Sequence, residues 1–156
     1  MKQTPETTEL LEPSRLILRN YRRIFGRDLV TPGDPDSGVA ALFGAPFAVL
    51  SALGSFGSDH LFNYANRQAL TLFEYEWNEL IGKPSSASAE PVHRDERRRL
   101  LDEVGKHGFI ENYCGIRISK NGRRFRIKKA TVFNLLDNEG NYAGQSATFA
   151  DWERLD

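Results

Sequence analysis

One cysteine in 156 residues cannot close an internal disulfide, so Cys114 leaves the fold to packing alone and implies a reducing compartment. Histidine is nearly as scarce. His60, His93 and His107 share no ligand spacing with one another or with Cys114, which gives no case for a metal site. No serine or cysteine stands with a paired base as a nucleophile would, and no phosphate loop occurs. The formal net charge is zero, so no global field announces nucleic acid or membrane. Long apolar runs are missing too. Val39 to Gly57, "VAALFGAPFAVLSALGSFG", approaches a membrane span in length, but Gly44, Pro46, Gly54 and Gly57 interrupt it and no basic anchors flank it. It predicts a loop or short helix entering a buried strand. Met1 is followed by polar residues, so no secretory leader is expected and the chain reads as cytoplasmic.

What is present is ordinary for a globular domain: 40% hydrophobic and 27% charged residues, with length enough for one sizeable core. The charge is segregated. From Arg94 to Lys129 twelve basic residues face five acids, so this third carries about +7 and the remainder about −7. Such a layout can steer an acidic partner or solvate a helix and a hairpin.

Residues from about Thr8 to Phe25 predict an amphipathic helix. Leu10, Leu11, Ile17, Leu18, Tyr21, Ile24 and Phe25 recur at helical spacing, and Gly26 supplies a stop. "TPGDPDSG" reads as a linker. The expected division is therefore 1–38, helix and linker, and 39–156, a second unit. The helix's apolar stripe must find a surface within the chain or in a partner. Pro46–Leu53 and Leu61–Ala65 predict strands, and Asn66 suits a helix N-cap before the Ala69, Leu70, Leu72, Phe73 stripe. Glu76–Ile81 predicts another turn or two of helix, closed by Gly82. "HRDERRRLLDEVGKHGF" is the best-marked helix, with Asp95 and Glu96 in its first turn and a narrow stripe of Leu100, Leu101 and Val104. Three strand-like runs follow, joined by "KNGR" and "DNEGN". This order predicts an antiparallel sheet with helices on one face.

The segments "YAN", "LTLFEY", "NELIGKP", "RDERRRLL", "SKNGRRF" and "TFADW" resemble, in that order, the segments of PAS domains. More narrowly, "APFAVLSALG", "FNYANRQALTLFE", "SAEPVHRDERRRLL", "GFIENYCGIRIS" and "NGRRFRIKKATVFNLLD" resemble the MEKHLA domain. That is a PAS-related module found alone or at the C-terminus of certain homeodomain–leucine zipper regulators. The upstream "RNYRRIFGRDLV" is similar to the helix that precedes it, so the resemblance runs from Leu16 to Trp152. It implies an α+β, PAS-like fold: a five-stranded antiparallel sheet with helices packed on one face, plus the N-terminal amphipathic helix. Two departures stand out. Glu74 occupies a place where many PAS domains have glycine, and after Asp151 the chain reads only "WERLD". Any signal is therefore expected to leave through a partner or by self-association.

The resemblance makes cofactors worth weighing. PAS domains that bond flavin need a cysteine in a helical "NCRF"-like context, whereas Cys114 falls in a strand, so no flavin adduct is expected. Haem-binding PAS domains use a histidine on or near the long helix. His93 and His107 flank it in charged surroundings and read as surface or capping groups.

What remains is a pocket between sheet and helices, whose lining depends on hairpin register. With Asn121-Gly122 as a two-residue turn, Ile118 pairs with Phe125 and Ile116 with Ile127, and Arg117 faces Arg126 outside. With a loop one residue longer and Gly122 left-handed, Arg117 lies opposite Ile127 and points inward. A buried arginine then demands an acidic partner or an anionic ligand, and Ile116 and Ile118 form an outer stripe for the N-terminal helix to cover. Lys128 and Lys129 break the alternation between Phe125, Ile127 and Ala130, Val132, through a bulge or a snorkelling lysine. The pocket candidates are Tyr64, Phe73, Tyr113, Arg117, Ile127, Gln145 and Phe149, with Trp77 a further aromatic. Gln145 either meets a ligand or bonds a helix end.

The expected function is a non-enzymatic sensory or interaction module that binds a small molecule or a protein partner. It would associate, as a homodimer or with a partner, through its sheet face or through Leu18, Tyr21 and Phe25 of the N-terminal helix. Two alternatives stay in view. An isomerase- or hydratase-like enzyme in an α+β cup would need a buried carboxylate or histidine, such as Glu111 or His107. A weak nucleic-acid binder would use the basic 94–129 region, although acids alternate with its helical arginines.

Overall fold

The computed structural model describes residues 5–34 and 36–155. Helix α1, Thr7–Phe25, ends where Gly26 takes φ 70° and returns its N–H to the Arg22 carbonyl. Leu10, Ile17, Leu18 and Tyr21 form its buried stripe, on a helical period. A short helix α2, Gly38–Phe43, follows and joins the same apolar layer through Val39, Leu42 and Phe43.

The sheet comprises β1 (Ala48–Leu53), β2 (Leu61–Ala65), β3 (Phe109–Ile118), β4 (Arg124–Leu136), β5 (Tyr142–Phe149) and a short β6 (Asp151–Arg154). Its order is β2-β1-β5-β4-β3, antiparallel throughout, and β6 pairs with the first half of β4 beside β5 on the second half. The expected five-stranded sheet is there, with this one extra strand. On the inner face lie α3 (Arg67–Phe73), the one-turn α4 (Trp77–Leu80), a 3-10 turn over Ser85–Ser88 and α5 (Pro91–His107). On the outer face α1 and α2 cover Val49, Tyr64, Phe133 and Leu135. Ile17 and Leu18 are fully buried there, each contributing roughly 1.5–3 kcal/mol.

Two asparagines fix these layers. Asn20 of α1 donates from Nδ2 to the Leu136 carbonyl (3.0 Å) and accepts from the Leu136 N–H (3.0 Å), pairing with the end of β4 as a neighbouring strand would. Asn66 caps α3 by accepting from Ala69 N–H (3.1 Å) and also from Val49 N–H (3.0 Å). Its amide donates to the carbonyls of Leu42 (3.1 Å) and Phe47 (2.8 Å).

Several details depart from the sequence reading. Helix α5 starts at Pro91, with Glu90 as its N-cap, so Asp95 and Glu96 lie in the second turn rather than the first. Strand β1 starts at Ala48, two residues after Pro46. Helix α1 covers Phe133 and Leu135, not Ile116 and Ile118. Glu74, the residue in a common glycine place, takes φ 62° as the left-handed C-cap of α3 and hydrogen-bonds Ser119 in the β3–β4 turn.

Bulges decide which side chains face inward. On β4, Lys129 adopts φ 52°, and the β3 register skips there between Tyr113↔Ala130 and Gly115↔Ile127. Phe125 and Ile127 before it, and Ala130 and Val132 after it, all reach the inner face. On β2 the register shifts between Ser51↔Tyr64 and Ala52↔Phe62, so Phe62 faces inward while Tyr64 faces α1.

Candidate functional site

The hairpin takes the longer loop. Ser119 N–H donates to Arg123 O (2.9 Å), Gly122 N–H to Ser119 O (3.1 Å), and Gly122 is left-handed at φ 86°. The loop is one residue longer than a two-residue turn but is placed one position earlier than expected, so neither expected pairing forms, and Arg117 points to the inner face. Its partner across the ladder is Phe125, not Ile127; Gly115 lies opposite Ile127. The feared Arg117–Arg126 pair does not form, and Arg126 is held outside by Glu153 (2.6 Å).

Between α5 and the sheet runs a cleft with two adjoining lobes. The outer lobe, about 360 Å³, is walled by Arg97 of α5 with Asp59, His60, Ser85, Tyr142 and Gln145. The inner lobe, about 90 Å³, is lined by Phe73, Tyr113, Arg117, Ile127 and Phe149. Arg97, Leu101, Leu50, Phe62, Val132 and Ala147 border both, so Arg97 stands at the junction.

The arginines are held but not neutralised. Arg97 donates to Ser85 Oγ (2.8 Å). Arg117 donates to the Ile116 carbonyl (2.8 Å) and to Tyr113 Oη (3.1 Å), with its guanidinium 5.6 Å from the Tyr113 ring centre. Tyr113 in turn donates to Glu96 (3.0 Å). The phenol can bend this way because position 115 is glycine: a Cβ there would lie 2.2 Å from Tyr113 Oη. Among the described residues neither guanidinium forms an ion pair. Burial, followed by the charge of Arg117, pushes Arg97 down to about 10.

Arg97 is linked to Asp59 through Ser85, whose hydroxyl lies 3.4 Å from the Asp59 carboxylate. Burial works to raise the Asp59 carboxyl, but hydrogen bonds from the Ser86 hydroxyl (2.6 Å) and N–H (3.2 Å) hold it below the usual range. His60 is buried between two partners. Nδ1 meets the Ser58 carbonyl (2.9 Å), which can only accept, so Nδ1 carries the proton and Nε2 accepts from Tyr142 Oη (2.7 Å). Burial lowers this imidazole and raises the Tyr142 phenol to about 12.

The pocket candidates divide accordingly. Phe73, Tyr113, Arg117, Ile127 and Phe149 come together in the inner lobe, and Gln145 lies in the outer one. Gln145 bonds the Leu101 carbonyl of α5 (3.0 Å) and Asn134 Oδ1 (3.2 Å), so its amide fastens a helix to the sheet while bordering the cleft. Tyr64 is a correction: the β2 bulge turns it away from the cleft, and it packs on Trp77 at 5.8 Å in the α1 layer. Leu18 and Tyr21 are corrected likewise, since the sheet's outer face covers both; half-buried Phe25 packs on Phe109 at 5.1 Å. Glu111 and His107 are both exposed and far from any role as a buried acid or base. Among the described residues no cluster of three or more His, Cys, Asp or Glu could hold a metal ion.

Sequence reasoning missed Arg97, Asp59, His60 and Tyr142. For Arg97 a signal existed. Arg97, Leu100, Leu101 and Val104 fall at i, i+3, i+4 and i+7, so the arginine lies on the edge of the apolar stripe rather than the wet face.

The segregated charge also resolves. Arg123, Lys120, Arg124, Arg126 and Lys128 of the basic third pair with Glu74, Glu79, Glu90 and Glu153 from the acidic remainder. Among the described residues no helix is long and apolar enough to cross a membrane.

The family model for the MEKHLA domain matches residues 11–154. Among solved structures, a light-oxygen-voltage domain studied with a flavin analogue is 21% identical, with a TM-score of 0.59 over 77% of this chain and 85% of that one. A PAS domain from Colwellia psychrerythraea is 13% identical, with a TM-score of 0.62 over 76% of this chain and 94% of that one. An RNA-binding light-oxygen-voltage receptor is 16% identical at a TM-score of 0.62, over 82% of this chain but 34% of that receptor. These likenesses establish a PAS-like fold. A comparison with curated proteins finds no match.

Proposed function

The chain belongs to the MEKHLA domain family, and from that membership and its cleft we propose a non-enzymatic, cytoplasmic sensory module. A small molecule enters between α5 and the sheet, and the event is passed on by association with a partner protein or a second copy. The observation that carries this reading is the two-lobed cleft itself: one lobe mostly apolar, the other more polar, and walled by side chains already positioned by hydrogen bonds. Its polar groups suit holding rather than reacting. His60 is bonded at both ring nitrogens and Asp59 is committed to serines, so neither is a free base. The ion pairs that consume the basic meander support a reading without a phosphate track.

The test is a fragment screen by NMR on the whole chain, with native mass spectrometry of the purified protein for a co-purifying ligand. Shifts clustered on Phe62, Leu101, Val132 and Ala147, or an added mass, are expected. No cleft shifts from any fragment class, charged or neutral, with the bare chain mass, overturns the reading.

A further inference from the structure

Arginine is the most strongly basic side chain, and burying its charge is tolerated only with compensation. Arg117 is 7% exposed, and its hydrogen-bond partners are a carbonyl and a phenol, neither of which carries a charge. Arg97 spends one hydrogen bond on the neutral Ser85 hydroxyl. The two cations border the same inner lobe, and their mutual repulsion contributes to lowering Arg97. The carboxylates in the neighbourhood are committed elsewhere. Glu96 takes the Tyr113 hydroxyl from the exposed side, and Asp59, bonded by Ser85 and Ser86, offsets less of the Arg97 charge than burial and Arg117 oppose. Other acids from the basic third's surroundings are bound to Lys120, Arg124 and Arg126 at the surface. The pair therefore leaves a net positive site in the more apolar lobe, where low dielectric strengthens attraction for an anion.

We propose that the cleft takes a small organic oxyanion, its carboxylate or phosphate head held between Arg97 and Arg117 in the inner lobe and its body in the outer lobe. This rests on the reading of the cleft as a ligand site and names its ligand class. The guanidinium forks supply planar, paired donors of the kind oxyanions accept. Tyr113, fixed by its bonds to Glu96 and Arg117, orients the second fork and forms one wall. Leu50, Phe62 and Val132 give the organic body an apolar floor, so a bare inorganic anion gains the charge but not the burial.

The experiment uses the whole chain at fixed ionic strength, with benzoate, phenyl phosphate and inorganic phosphate as anionic probes and benzamide as the neutral isostere. Binding is read by calorimetry and by the side-chain Nε–H signals of arginine. Benzoate or phenyl phosphate is expected to bind at least about tenfold more tightly than benzamide, and the stronger of the two identifies the head group. Arg117→Met and Arg97→Gln should each weaken that binding about tenfold or more, whereas Arg99→Gln, an equal change of charge on the exposed side of α5, should not. Two cleft variants guard against one failing to fold, and the Nε–H shifts of the unmodified protein need no variant. Benzamide binding as well as the anions overturns the oxyanion assignment and leaves the ligand cleft standing. Equal losses in Arg99→Gln and Arg117→Met reduce the effect to surface charge and overturn it as well. Inorganic phosphate matching phenyl phosphate removes the organic body from the proposal.

Discussion

Replacing Asn66 should cost more than any other single polar change in the molecule. The side chain is completely buried and makes four hydrogen bonds, two accepted at Oδ1 and two donated from Nδ2. Asn66→Ala removes all four. The N–H groups of Val49 and Ala69 lose this acceptor and the Phe47 carbonyl this donor, while the Leu42 carbonyl keeps the Ala45 N–H at 3.3 Å. A buried group left unsatisfied costs about 1–3 kcal/mol, and an N-cap alone about 1 kcal/mol. Three such losses, softened by relaxation, put the expected destabilisation at about 4 kcal/mol. For a domain of this size that lowers Tm by about 8–16 °C, a large part of the usual 5–15 kcal/mol total.

Asn66→Asp separates the two halves of the role. It keeps both acceptor bonds but turns an oxygen toward two carbonyls and buries a charge, so it should be at least as damaging at neutral pH. Acidification that protonates the new carboxyl should recover part of the loss, because one donor returns. Urea titrations of both variants, followed by circular dichroism, measure the effect. A cost below about 1 kcal/mol for Asn66→Ala would show that water or a shifted loop replaces the side chain, and would refute the claim that this residue welds β1 to α3.

Asn20→Ala should lose about 2 kcal/mol and expose the α1–α2 connection to protease before the sheet opens, since the Leu136 clamp is broken; intact resistance at α1 would count against the clamp. Arg117→Met, without ligand, should stabilise the protein by about 1 kcal/mol, because a buried, unneutralised cation is replaced by an apolar side chain of similar length; a melt showing a loss of that size would mean the Tyr113 and Ile116 bonds fully compensate the charge. Burial depresses His60, so its contribution is present above the unfolded value of 6.5 and is lost as pH falls through the folded value. His60→Gln should flatten that acid limb of the stability curve, and an unchanged limb would assign it to other groups.

The architecture was legible because its signals are local and repeated. Apolar spacing in α1, the Asn66 cap, the Asn121-Gly122 hairpin and the three-strand meander each specify their own segment, and together they agree on one sheet. Side-chain direction was less legible, because bulges shift the alternation on β2, β3, β4 and β5. The one at Lys129 was visible as a break in the apolar pattern. The ones near Asn112 and Asn63 were not, since polar residues on a half-wet strand break no pattern. Tyr64 was misplaced for that reason. Arg97 was missed for another: in "RDERRRLL" four arginines look alike, and only their phase against Leu100, Leu101 and Val104 separates the one on the cleft.

The cleft and the N-terminal helix meet on the same strand. Along β4, Val132 borders the cleft, Phe133 packs under α1, Asn134 bonds Gln145 on the cleft side, and Leu135 returns to the α1 layer. Leu136, next in line, is the residue that Asn20 holds. Successive residues of one strand thus report to opposite faces, and the strand is stiffened on both edges by ladder bonds to β3 and β5. A ligand that displaces Val132 or draws α5 through the Gln145–Leu101 bond cannot do so without moving atoms that α1 touches. Packed interiors transmit small displacements rather than absorb them. Under the proposed sensory reading, the helix that seals the outer face is therefore the element placed to register what occupies the inner one.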